Sequence, residues 1–222
     1  MKTTFFRTVL ASLIAVAGVS AYAEDAKATP QPYTLANCPV SGKALPAGDA
    51  AVVKTYEGRE VRFCCGECPA KYEADPAKYT KAIDAEIAKA ETPNYPVETC
   101  VVSGEKLGGM GDPVDHVYQN RLVRLCCAGC IKKFDANPAS FTAKLDEAII
   151  AKEKDAYPVD TCVVSGEKLT NPVNVVMGNH LYKLCCKDCA AGLAKDPLKY
   201  QAMIVKPASA ETKAEKKADK KS

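Results

Sequence analysis

Hydrophobic and polar residues alternate in three places along this chain, each time around a two-residue turn. In the middle instance Val114-Asp-His-Val-Tyr118 and Arg121-Leu-Val-Arg-Leu125 flank Gln119-Asn120, and the corresponding turns are Glu57-Gly58 and Gly178-Asn179. Short alternating runs around such a pair predict a β-hairpin. Each second strand leads directly into Cys-Cys-x-x-Cys. Four residues past the last cysteine stands a large side chain, Tyr72, Phe134 or Leu193. That spacing puts it on the same face of a short helix as the cysteine. Asp75-Pro76, Asn137-Pro138 and Asp196-Pro197 then pair an N-cap residue with proline at the first helical position. Proline also drives the residue before it out of the helical region, so one helix stops there and a second begins. The apolar face of the second helix reads Tyr79, Ile83, Ile87, then Phe141, Leu145, Ile149, then Tyr200, Ile204.

The elements recur because the sequence recurs. Cys38, Cys100 and Cys162 stand 62 residues apart within Asn37-Cys-Pro-Val-Ser-Gly-Lys, Thr99-Cys-Val-Val-Ser-Gly-Glu and Thr161-Cys-Val-Val-Ser-Gly-Glu. With Cys64, Cys65 and Cys68, Cys126, Cys127 and Cys130, and Cys185, Cys186 and Cys189, they account for all twelve cysteines. The expected fold is α+β: three small zinc-finger-like modules in series over 33–92, 93–154 and 155–205, each a cysteine turn, a hairpin and two helices. The first cysteine precedes the pair by 26 residues in two copies and by 23 in the third. Aligning Pro113 with Pro172 places the missing residues between Leu169 and Pro172, in a loop where shortening costs little. Units this small bury a limited core and need metal or disulfides to hold together.

The two ends read differently. Lys2 and Arg7 precede an apolar run from Thr8 to Ala21, and Ala21-Tyr22-Ala23 has the pattern of a signal peptidase site. The expectation is a signal peptide over 1–23, a linker over 24–32, and a periplasmic or secreted product. The run is too short to span a bilayer, so no stable membrane insertion is expected after cleavage. From Lys206 to Ser222 there are six lysines, three acids and no large apolar residue, which predicts a disordered tail. Removing the two ends turns the formal +3 into −2 for residues 24–205, which leaves no basic body for nucleic acid.

Thiolates are soft ligands for zinc and copper(I), and four-cysteine sites are built from two short cysteine-bearing turns brought together by the fold. All twelve cysteines are therefore candidate ligands, with one ion per repeat. Gly42, Gly104 and Gly166 suit a tight ligand turn, although Ser-Gly is a common turn in its own right. Two other readings stand beside the metal. Exported cysteines in even number form disulfides, and Cys65-x-x-Cys68 has the spacing of a redox dithiol. His116 and His180 occur in only two of the hairpins, so they read as strand-surface residues. Met110 and Met177 read as loop and hairpin packing. Tyr33, Tyr95 and Tyr157, five residues before each first cysteine, read as packing against a neighbouring helix. No catalytic set is visible, and no enzyme is expected.

Cys38-Pro-Val-Ser-Gly-Lys, Tyr56-Glu-Gly-Arg-Glu-Val-Arg-Phe-Cys-Cys-Gly-Glu-Cys68, Tyr72 and Asp75-Pro-Ala-Lys-Tyr79 resemble the YHS and TRASH-like metal-binding modules, as do the other two repeats. The resemblance implies treble-clef units that bind heavy metals and work beside efflux or transport proteins. It carries the family's later ligand pair onto Cys64 with Cys68, Cys126 with Cys130 and Cys185 with Cys189, and the first turn onto Cys38, Cys100 and Cys162. Family members commonly have cysteine where this chain has Ser41, Ser103 and Ser165, and lack one at Cys65, Cys127 and Cys186. Either the additional cysteine replaces the missing ligand, or three thiolates hold copper(I) and the fourth is spare.

Overall fold

A computed structural model describes residues 31–205. The leader expected over 1–23, the tail over 206–222 and all of the linker except Gln31 and Pro32 lie outside them. Three two-stranded antiparallel sheets form, each followed by two helices: β1 (Val52–Tyr56), β2 (Arg59–Phe63), α1 (Cys68–Ala74) and α2 (Pro76–Glu91); β3 (Val114–Tyr118), β4 (Arg121–Leu125), α3 (Gly129–Ala136) and α4 (Pro138–Glu153); β5 (Val173–Met177), β6 (His180–Leu184), α5 (Cys189–Lys195) and α6 (Pro197–Ile204). The protein is thus mixed α and β, built of three repeated units. No helix among the described residues is long and apolar enough to cross a membrane.

The registers are equivalent, with Val52 opposite Phe63, Val114 opposite Leu125 and Val173 opposite Leu184. Both central turn residues have positive φ in the first two hairpins, Glu57 and Gly58, then Gln119 and Asn120, as in a type I′ turn. In the third hairpin Gly178 alone has positive φ in the turn, which is the II′ arrangement. The elbow between helices forms as the prolines dictate. Asp75, Asn137 and Asp196 accept the backbone N–H of Lys78, Ser140 and Lys199. The shorter third repeat keeps its cysteine turn and hairpin; Leu107 and Leu169 both bond back across the turn, to Glu98 and Asp160. The difference falls in the loop before the hairpin, where the second repeat has Gly108 to Asp112.

Each unit has its own core. In the first, Phe63, Tyr72, Ile83 and Ile87 pack around Cys38 and Cys68; in the second, Leu125, Phe134, Leu145 and Ile149 around Cys100 and Cys130; in the third, Tyr182, Leu184 and Leu193 around Cys162. Tyr33 is buried in the first core and its hydroxyl donates to the Asn37 carbonyl. Tyr95 accepts the Arg124 N–H. Met177 is buried in the third core, whereas Met110 is exposed on its loop.

The units are joined by a repeating polar lock. Helix α2 packs on the β3–β4 hairpin and α4 on β5–β6, and Leu122 and Leu181 are shared with the core of the preceding unit. Arg59 Nε donates to Asn120 Oδ1 of the next unit at 2.7 Å, and Arg121 Nε to Asn179 Oδ1 at 3.1 Å. Each arginine also pairs with an aspartate on its own second helix, Asp84 or Asp146. The asparagine amides return to the carbonyls of Glu60 and Leu122. Glu91 accepts the Leu122 N–H, and Glu153 accepts the Leu181 N–H. In the first unit Gly58 stands in place of the turn asparagine, and in the third His180 and Val205 stand in place of the arginine and aspartate. The first and third units also touch, through the Arg62 guanidinium on the Ala194 and Lys195 carbonyls at the end of α5.

Candidate metal centre

The first ligand of each cluster stands on a tight turn. The Cys38 N–H donates to the Lys43 carbonyl at 2.8 Å, and the Gly42 N–H returns to the Cys38 carbonyl at 2.9 Å. The same two bonds hold Cys100 with Glu105 and Gly104, and Cys162 with Glu167 and Gly166. Gly42 needs φ +69 to close this turn, a conformation costly for residues with a Cβ. The other ligands come from the end of the second strand and the first turn of the following helix. Packing of hairpin and helix into one core brings the two halves together.

The result is three thiol triads: Cys38, Cys64 and Cys68; Cys100, Cys126 and Cys130; Cys162, Cys185 and Cys189. Within each, the sulfurs lie within 4.8 Å of one another. Two sulfurs about 2.3 Å from one ion stand about 3.8 Å apart in a tetrahedral site and about 4.0 Å apart in a trigonal plane. The Cys64 to Cys68, Cys126 to Cys130 and Cys185 to Cys189 separations are 3.8, 3.7 and 3.6 Å. The donor set therefore fits a thiophilic ion. All twelve cysteines are free thiols, and these separations far exceed the roughly 2.05 Å of a disulfide bond.

Cys65, Cys127 and Cys186 stand outside the triads, on the rim. Cys65 Sγ is 3.9 Å from Cys64 Sγ and 3.5 Å from Cys68 Sγ. Cys65 and Cys186 are exposed and Cys127 is half-buried, whereas Cys38, Cys100 and Cys162 are buried.

A serine also adjoins each cluster. Ser41, Ser103 and Ser165 place Oγ at 3.2 Å from the sulfurs of Cys64, Cys126 and Cys185. Each serine oxygen also accepts the N–H two residues on, from Lys43, Glu105 or Glu167. With a lone pair committed to that N–H, the hydroxyl hydrogen is available to the thiolate. The Ser-Gly dipeptide is thus part of the site, although nothing in its composition distinguishes it from an ordinary turn.

The surroundings favour negative charge at the first cysteine. Burial opposes ionisation of Cys38, but the Ser41 hydroxyl and the N–H groups of Cys64, Ser41 and Val40 outweigh it and draw its pKa down to about 6. Cys100 is drawn to about 7 and Cys162 to about 6 in the same way. Burial and neighbouring thiols push Cys68, Cys130 and Cys189 up to about 12. The first cysteine of each cluster is thus the one whose surroundings favour the thiolate, and the last the one whose surroundings favour the thiol. A bound cation removes that asymmetry, since it favours every thiolate at once.

The histidines take no part. His116 bonds Asp135 at 3.0 Å and packs edge-on against Phe134. His180 is half-buried at the junction of units, where its ring meets Gln201, and not on an open strand surface as its pattern implied. Comparison with family models, curated proteins and solved structures found no match. The three clusters are consistent with metal-binding modules, and the resemblance to YHS and TRASH-like modules rests on the sequence motif.

Proposed function

We propose that this protein binds soft transition metal ions, one per repeat, through three-thiolate sites built from Cys38, Cys64 and Cys68 and their counterparts. The observation that carries this reading is the triad itself, formed three times with its sulfurs within 4.8 Å of one another and a serine hydroxyl 3.2 Å from one of them. Three thiolates suit copper(I), a soft ion stable at low coordination number. Zinc is the second reading, favoured by Cys65, whose closeness to Cys64 and Cys68 offers a fourth thiolate for tetrahedral coordination. In this proposal the units are treble-clef modules of the YHS and TRASH-like kind. The chain is exported and serves as a reservoir, chaperone or protective sink, passing ions to an efflux or transport protein. It has no catalytic activity of its own, and three sites on one chain raise the local concentration of cargo at such a partner.

Native mass spectrometry of the exported protein tests the reading directly. The expected result is a mass excess of three ions on reduced cysteines. A deficit of two protons for each of six disulfides, with no metal, would establish the disulfide-stapled alternative instead.

A further inference from the structure

Each cluster contains two overlapping three-thiol sets, and the function proposed above uses one. The inner set is Cys38, Cys64 and Cys68. Cys64, Cys65 and Cys68 form an outer set, with sulfur separations of 3.9, 3.8 and 3.5 Å. The two share the edge between Cys64 and Cys68. The arrangement recurs at 4.0, 3.7 and 3.8 Å in Cys126, Cys127 and Cys130, and at 3.9, 3.6 and 3.6 Å in Cys185, Cys186 and Cys189. These lengths sit close to the roughly 3.8 to 4.0 Å that a thiolate-bound ion requires.

The sets differ in access. The cysteine unique to the inner set is buried in every repeat, while the one unique to the outer set is exposed in the first and third and half-buried in the second. Packing does not explain Cys65 and Cys186, because an exposed thiol fills no core, although Cys127 lies against the core of its unit. The neighbours of the outer cysteine within the motif change freely, from Gly66-Glu67 to Ala128-Gly129 to Lys187-Asp188, yet the cysteine stays.

Resting on the reading that these clusters hold soft ions, we infer that Cys65, Cys127 and Cys186 complete an outer docking set through which copper(I) enters and leaves the buried set. An arriving ion is taken by Cys64, Cys65 and Cys68. It then moves inward across the shared edge as a bond to Cys38 sulfur forms and the bond to Cys65 sulfur breaks. The ion stays monovalent throughout, and no electrons are exchanged. Cys38 enters as a thiolate and Cys65 leaves as one, so the ligand exchange is charge-neutral and needs no proton transfer. Cys64 and Cys68 hold the ion during the swap, so it is never released to water. Delivery reverses these steps, with an acceptor's thiolates approaching from the exposed side.

The test uses the full chain loaded anaerobically with copper(I), alongside the triple variant Cys65→Ser, Cys127→Ser, Cys186→Ser. Ions are counted by native mass spectrometry, and transfer to a chromogenic copper(I) chelator is followed by stopped flow. The expected result is three ions on each protein and transfer at least tenfold slower from the variant. Equal transfer rates would overturn the docking role. Loss of ions from the variant would also overturn it, by making the exposed cysteine a resident ligand. Failure of the unmodified protein to take up copper(I) would remove the underlying reading, and that outcome appears in the loading step, before any rate is measured.

Discussion

At the scale of single residues, the serine in each ligand turn and one buried glutamate carry the sharpest consequences. Ser41, Ser103 and Ser165 each offer a hydroxyl to a cluster sulfur at 3.2 Å. A hydrogen bond to a charged group contributes about 1.5 to 3 kcal/mol. Ser41→Ala should therefore weaken ion binding in the first repeat by about tenfold or more, as read by competition with a copper(I) chelator of known affinity. Glu91 sits where the second and third units meet the first. Burial pushes its carboxyl up to about 7, against the Leu122 N–H, Asn179 and Arg121, which favour the charge. Its ordinary value is 4.5, so between these two pH values the folded protein holds a proton that the unfolded chain has lost. Stability from this group thus falls as pH rises from about 4.5 to about 7, at up to about 1.4 kcal/mol per pH unit. Glu91→Gln keeps an oxygen for Leu122 and Asn179 but carries no charge. Thermal unfolding followed from pH 4.5 to 7.5 should show a flatter profile for that variant.

At the scale of elements, local chemistry decided most of what forms. The turn pairs, the Asp-Pro and Asn-Pro steps and the i, i+4 spacing from Cys68 to Tyr72 each act over a few residues, and hairpins and helices stand where those signals place them. The short α3 helix ends where Asn137 caps α4 by accepting the Ser140 N–H. Asn137→Ala should cost about 1 kcal/mol in urea unfolding, and Asn137→Asp should cost much less. Other features were beyond reach of local reasoning. Ser41 meets Cys64 only because a hairpin intervenes, so its sequence spacing of 23 residues carried no sign of contact. The same holds for which three of four cysteines gather, since that depends on the direction in which each side chain leaves the segment from the end of β2 to the start of α1. Asn120 and Asn179 read as turn residues, and they are; their second task, bonding to the preceding unit, needed the packed structure to become visible.

At the scale of the whole molecule, those asparagines make three small cores into one body. Asn179 is 2 % exposed and meets Arg121, Glu91 and the Leu122 carbonyl. Asn179→Ala strands the Leu122 carbonyl and the Arg121 Nε, and leaving such groups unpaired costs about 1 to 3 kcal/mol each. The variant should lose about 3 kcal/mol, and its urea unfolding should split into two transitions as the third unit detaches. Metal should still bind in all three sites, because the lock and the clusters share no residue.

The lock is also directional, and so the molecule carries a rule for its own length. Arg59 and Arg121 call for a following asparagine, Asn120 and Asn179 for a preceding arginine, and Gly58 and His180 end the sentence on either side. Only the middle unit bears both halves. A second copy of residues 93–154 spliced after Lys154 should dock on both neighbours and yield a four-unit protein with four ions by native mass spectrometry, although it forgoes the contacts that Arg62, Glu91 and Gln31 make with the third unit. A second copy of residues 155–205 appended after Val205 has no arginine before it and should hang loose. The number of cysteine clusters can thus grow by duplication from within the array but not from its end.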